Sequence, residues 1–320
     1  MMESAVHANP PDGVEPVLLT ELANGDAVAA TVAPILHHLL NNGGSSIFSD
    51  AVVAGVRGML GDLTRQLLSA QNPEEIAGER AEPGAGQFEA LSGALADNPA
   101  LIGHIHALAL EWQVTQQLQS RLSLDPVLTP LVQAQMSSGD SATAAQAMKL
   151  LAAQARYCQD QRRMKLPLTE LPGDLLHGAL VAMRTVAGIE LDERAAAAES
   201  SIRAAYDEGR SRLGLAARLV TGMGGGGLAA LSVTHSGVAL FVTALALASG
   251  QDRDLAALSL NESQLARLAL ALRAAGLKQP AVEEQFLALH PDIALPEGFE
   301  RLGADRAAAL LASATQHAGR

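Results

Sequence analysis

Aromatic side chains are scarce in this chain, whose 320 residues include five Phe, two Tyr and one Trp. A sheet-rich interior leans on aromatic and β-branched residues, so the scarcity argues against one. Cysteine is scarcer still. Cys158 stands alone, so no intrachain disulfide can form, and a reducing compartment is the natural setting. Positive charge is short as well, with 22 basic against 34 acidic residues and a formal net charge of −12. Nucleic-acid binding needs a concentrated basic surface to neutralise phosphates, and none is expected here. The densest basic run, Arg162, Arg163 and Lys165, closes a predicted helix, where cations meet the last carbonyls. The opening "MMESAVHANPPDGVEP" lacks the basic and apolar stretches of a signal peptide, so a cytoplasmic location is expected.

What is plentiful is Ala and Leu, with Val and Met beside them. Hydrophobic residues make up 48% of the chain, enough for a sizeable core, and Ala and Leu are among the best helix formers. The expected fold class is all-α: stacked helical hairpins, an irregular α-solenoid or a multi-helix array.

Four blocks follow from the pattern. Residues 1–13 read as a disordered lead, 14–70 as N-terminal helices, 71–86 as a mobile linker, and 87–320 as the main helical-repeat domain. In the second block Val14, Leu18 and Leu22 recur one turn apart. Gly25 and Asp26 then look like a helix stop and a new N-cap, and Pro34 like a kink or division. The clearest helix covers 47–70, where Phe48, Val52, Val56, Met59, Leu63 and Leu67 form one apolar stripe. Gly55, Gly58 and Gly61 lie inside it, each costing about 1 kcal/mol against Ala. That cost points to close approach of a neighbouring helix.

The stretch "QNPEEIAGERAEPGAG" at 71–86 has linker composition. Beyond it, Asn98 with Pro99 marks one helix start, and Asp140 after Gly139 marks another. Leu101, Ile105, Leu108 and Trp112 stripe the first helix; Met148, Leu151, Ala155 and Cys158 stripe the second, which makes Cys158 a core residue. "VEPVLLTELANGDAVAATVA" at 14–33 echoes 124–148, and Gly-then-Asp punctuation returns at 173–174 and 250–252. Helix–turn–helix units in series are what an α-solenoid looks like in sequence.

No charge falls between Arg218 and Asp252. Within that run "GMGGGG" spaces Gly222, Gly224 and Gly227 like a dinucleotide loop, whose glycines allow a tight turn and close approach of pyrophosphate. Such a loop needs a strand before it, yet "AAYDEGRSRLGLAARLV" reads as helix and the Walker lysine is absent. A flexible helix–helix connection is therefore expected. A nucleotide- or anion-binding enzyme using Gly222, Gly224, Gly227 and His235 is kept as the alternative. Residues 228–248 are apolar enough to span a membrane, but Thr234, His235, Ser236 and Gly237 interrupt them and no aromatic anchors flank them. The segment divides into "LAALSV" and "GVALFVTALALASG", so a buried helix is expected, with membrane association as a further alternative.

"SGVALFVTALALASG", followed by "LNESQLARLALALRAAGL", resembles the helix–turn–helix units of an uncharacterised bacterial family of α-helical repeat proteins, a domain of unknown function. The resemblance covers about residues 215–290 and implies a helical fold without implying an activity.

Chemistry-bearing clusters are few. On a helix His104 and His106 diverge by about 200°, and His37 and His38 diverge similarly. Asp174 and His177 share a helix face but lack a third ligand, whereas a metal site needs three or four. His290 sits at a helix exit, where it can serve the last carbonyls. No G-x-S-x-G, D-D-x-x-D or H-E-x-x-H occurs. The charged helix at 190–213, with pairs such as Glu190–Arg194 and Glu199–Arg203, reads as a solvated face. No catalytic residue, metal or cofactor is expected. The expected function is a non-enzymatic scaffold or adaptor for a protein partner, with its first candidate surface between the helices around 174–213 and 228–275.

Overall fold

The computed structural model describes residues 13–42, 49–71, 85–188 and 191–318. Within them the protein is an all-α, multi-helix array of fourteen α-helices with no strand. The disordered lead expected at 1–13 (all but Gly13), Phe48 and most of the linker at 71–86 lie outside the described residues.

The array is organised around α4 (Pro99–Leu122), whose start follows from local chemistry. Asn98 accepts hydrogen bonds from the backbone N–H of Ala100 and Leu101 at 3.1 and 3.2 Å, and Pro99 takes the first helical position, where its missing donor costs nothing. One side of α4 packs with α2 (Asp50–Gln71), α3 (Ala85–Ala96), α7 (Gly173–Ala187), α8 (Asp192–Ala205) and the end of α6 (Ser141–Arg162) around a first apolar cluster. Its other side joins a second cluster with α5 (Pro130–Met136), α9 (Arg212–Gly222), α10 (Val233–Ser249), α11 (Arg253–Leu258), α12 (Leu265–Ala274), α13 (Gln279–Leu289) and α14 (Ala304–Ala318). The first turns of α1 (Val14–Asn42) belong to the second cluster, while its Leu36 belongs to the first. In a solenoid each unit touches only its neighbours in sequence. Here α1 packs on α12 and α14, and α4 packs on α11, so the array is a folded-back one.

Gly25 and Asp26 do not stop a helix: α1 runs unbroken for 29 residues through both, and through Pro34. A Cβ at Gly25 would lie 2.8 Å from the carbonyl oxygen of Ser263, so glycine here admits a crossing segment. Gln264 Nε2 donates to the Gly25 carbonyl and Arg267 pairs with Asp26. These contacts make the pair a docking point for the start of α12. The echo between 14–33 and 124–148 is thus not repeated in structure. In the later segment Asp140 does cap α6, accepting from Thr143 N at 3.0 Å.

Close approach is confirmed at Gly58, where a Cβ would lie 2.4 Å from that of Met164. The neighbour is the turn leaving α6, whereas Gly55 meets Ala109 of α4 at an ordinary 3.6 Å. Cys158 is buried as expected, and that burial pushes its thiol up to about 11.

The long apolar run divides where the sequence suggested. Residues Gly224–Leu231 form a 3₁₀ helix that meets α10 at 113°. Within α10, Gly237 adopts φ 75°, and a Cβ there would fall 2.6 Å from Thr129 Cγ2. Phe241, Val242 and Leu245 are fully buried, each worth about 1.5–3 kcal/mol of apolar burial. No single described helix is long and apolar enough to cross a membrane, although the bent pair has the length and composition.

Candidate functional site

Two polar faces of α4 and one groove beside α1 hold the chemistry of the molecule. The first face is a buried ion cluster. Glu111 is fully buried and receives Arg212 through Nη1–Oε1 at 2.5 Å and Nη2–Oε2 at 3.2 Å. Arg253 Nη2 donates to the same Oε2 at 2.8 Å, while its Nη1 has no partner among the described residues. Arg212 opens α9, where Ser211 caps the helix by accepting from Gly214 N at 3.1 Å. Glu170 Oε2 accepts the Arg212 backbone N–H at 2.7 Å. The guanidinium of Arg212 stacks 3.7 Å from the ring centroid of Tyr157, whose hydroxyl donates to the Leu108 carbonyl at 3.2 Å. Burial would push the Glu111 carboxyl up, but Arg212 and Arg253 outweigh it and hold the group at about 2. Burial, then the Glu111 charge, drives the Tyr157 phenol well above its ordinary value. With Glu111 and Arg212 both shut from solvent, this cluster locks α4, α6, α9 and α11 together and presents no surface to a reactant.

The second face opens into a cavity of about 260 Å³ between α1, the start of α2, α4 and the turn at 261–264. Its polar lining includes His106 and Gln113 from α4, Ser49 before α2, and Asn261. Burial holds the His106 imidazole down at about 4, so the ring is neutral at physiological pH. On the same helix, His104 Nδ1 lies 2.7 Å from Asp254 Oδ2 and fastens α11 to α4.

The third feature is an apolar groove of about 260 Å³ along α1, walled by Val17, Leu265, Ala269, Phe286, Ile293 and Leu295. Two exposed carboxylates, Glu21 and Glu262, border it, and neither joins an ion pair among the described residues. A wider groove of about 540 Å³ runs on another side of α1, against α14.

The residues singled out from sequence lie elsewhere. Gly222 ends α9, Gly224 has φ 51°, and Gly224 and Gly227 belong to the 3₁₀ helix, with no strand before them among the described residues. His235 sits half-buried in the first turn of α10, its N–H donating to the Ser232 carbonyl at 3.1 Å. None of these four residues lines the cavity beside α4 or either groove beside α1. Other described histidines are dispersed: His37 bonds Asp97 at 2.9 Å, His177 bonds Arg203 at 2.8 Å, and His290 caps α13. No group of three or more His, Cys, Asp or Glu among the described residues could hold a metal ion. The segments around 174–213 and 228–275 fall largely into different apolar clusters: α7 and α8 in the first, α10, α11 and α12 in the second.

Sequence reasoning missed the ion cluster. It placed Arg212 on a solvated face at 190–213, but α8 ends at Ala205, and Arg212 turns inward to begin α9. The Glu199–Arg203 pair does form on α8, at 2.8 Å, while Glu190 lies outside the described residues. One signal for the cluster was present: Glu111 is the single charge between Asp97 and Arg121. Compared with protein-family models, characterised proteins and solved structures, the chain finds no match.

Proposed function

We propose that this protein is a non-enzymatic adaptor that seats an amphipathic helix of a protein partner in the groove between α1 and α12–α13. The supporting observation is the combination of apolar walls with two carboxylates, Glu21 and Glu262, that join no ion pair among the described residues. A helix entering such a groove anchors through residues spaced i, i+3 or i+4, and i+7. Lysine or arginine flanking those anchors would meet Glu21 and Glu262, and the net charge of −12 would steer a basic partner toward the protein.

The test is fluorescence anisotropy with a labelled helical peptide carrying leucines at those spacings and flanking lysines. Binding that weakens about tenfold in the Val17→Glu, Glu262→Lys double variant is the expected result. Val17 is 53% exposed and Glu262 is exposed, so the variant keeps its fold. Equal affinity for wild type and variant, or for a peptide with glutamates in place of the lysines, would overturn the proposal.

A further inference from the structure

We infer that the cavity on the open face of α4 is a binding site for a small uncharged molecule with an amide edge on an apolar body, of the cyclic-amide class that includes lactams and pyrimidine bases. Three observations carry this. The first is the wall. Val28 and Val32 of α1, Val52 of α2, Leu110 of α4 and Leu258 of α11 give the cavity an apolar side, and its volume of about 260 Å³ suits a compact ring.

The second is charge. In so acidic a protein, no Asp, Glu, Lys or Arg among the described residues lines this cavity. Asp26 and Arg267, beside its α1 and Gln264 walls, pair with each other, and Glu262, between the lining residues Asn261 and Ser263, is exposed and is not among the lining residues. A carboxylate or ammonium entering here would lose its hydration and gain no counter-ion. A neutral ligand avoids that cost.

The third is the pattern of open hydrogen-bonding atoms. Gln113 Nε2 donates to Ser49 Oγ at 3.3 Å, and Gln113 Oε1 accepts no hydrogen bond among the described residues. Asn261 Oδ1 accepts from both Ser263 N and Ser263 Oγ at 2.9 Å, and Asn261 Nδ2 donates no hydrogen bond among the described residues. Both side chains line the cavity. A cyclic amide presents a donor next to an acceptor, the complement of a Gln113 Oε1 acceptor and an Asn261 Nδ2 donor on the two walls. The neutral His106 imidazole completes the polar lining without adding charge.

The experiment uses the full chain with four probes of similar size: ε-caprolactam and thymine as neutral amides, benzoate and benzylamine as charged counterparts. Each is titrated to about 5 mM, a range that detects millimolar affinity, while the His106 imidazole resonances and the melting temperature are followed. The neutral amides are expected to shift the His106 signals and raise the melting temperature, and the charged probes to do neither. Gln113→Leu and Asn261→Ala each weaken binding about tenfold, because each removes one hydrogen bond to the amide edge. The inference is overturned if neither neutral amide binds, if the charged probes bind as well as the neutral ones, or if both variants keep wild-type affinity.

Discussion

Two polar surfaces on one helix differ in closure, and closure decides what each can do. Around Glu111 the surroundings are charged and shut: two arginines, Tyr157 and Gln154 meet behind apolar layers from both clusters. Around His106 and Gln113 they are neutral and open to a cavity. Closed polar groups must satisfy one another, and in doing so they fix which helices meet. Open ones keep donors and acceptors in reserve for something that is not protein. The closed face therefore belongs to the fold and the open face is available for binding.

Removing a charge from the closed face is expected to have the largest effect. Glu111→Gln leaves Arg212 buried without a counter-ion, and unfolding in urea should show a loss of about 3–5 kcal/mol. Pairing Glu111→Leu with Arg212→Met should recover much of that loss, because the Arg212 charge leaves with its partner. A cost below about 1 kcal/mol for the single variant would mean that solvent reaches the cluster, and the contrast between the faces would collapse.

Acid should take the two faces apart in sequence. Folded His106 binds its proton only near pH 4, against an ordinary 6.5, so between those values the unfolded chain holds more protons. Stability from the neutral ring is complete above pH 6.5 and is lost as pH falls toward 4, at most about 3 kcal/mol. Glu111 behaves as a depressed carboxylate, with a contribution complete above pH 4.5 and lost as pH falls toward 2. Unfolding free energy measured against pH should decline through both windows. His106→Gln is expected to flatten only the upper one and Glu111→Gln only the lower. A single merged transition, unaffected by His106→Gln, would remove the distinction.

Some of this was legible in the sequence, and distance along the chain explains which part. Asn98 and Asp140 cap helices by bonding residues two and three positions away, so composition and local order reveal them. The second break in the long apolar run, the kink inside α10, is equally local and is set by the φ of Gly237. Gly25 and Asp26 carry the same letters as Gly139 and Asp140, but their partners, Ser263, Gln264 and Arg267, lie more than 200 residues away. No local rule can register those partners, and tertiary packing overrode the expected stop. Arg212 was misplaced for the same reason, because its carboxylate lies 101 residues earlier. Both polar faces of α4 were therefore invisible as sites, although their residues stood in plain view.

The smallest expected effect isolates closure from chemistry. Gln154 and Gln113 can each be replaced by leucine, an identical change at two positions. Gln154 is buried, donates to the Pro126 carbonyl at 3.0 Å and accepts from Arg212 Nη1 at 3.4 Å. Gln154→Leu removes both bonds and takes the Pro126 carbonyl's amide donor, while Arg212 Nη1 keeps Glu111 Oε1, an expected cost of about 1–3 kcal/mol. Gln113 is half-buried, lines the cavity and makes one long bond to exposed Ser49, and its Oε1 accepts no hydrogen bond among the described residues. Gln113→Leu should change unfolding free energy by no more than about 0.5 kcal/mol. Denaturant titration of the two variants side by side measures the difference directly. If Gln113→Leu costs as much as Gln154→Leu, the open face is holding the helices together too, and its hydrogen-bonding atoms are not in reserve for a ligand.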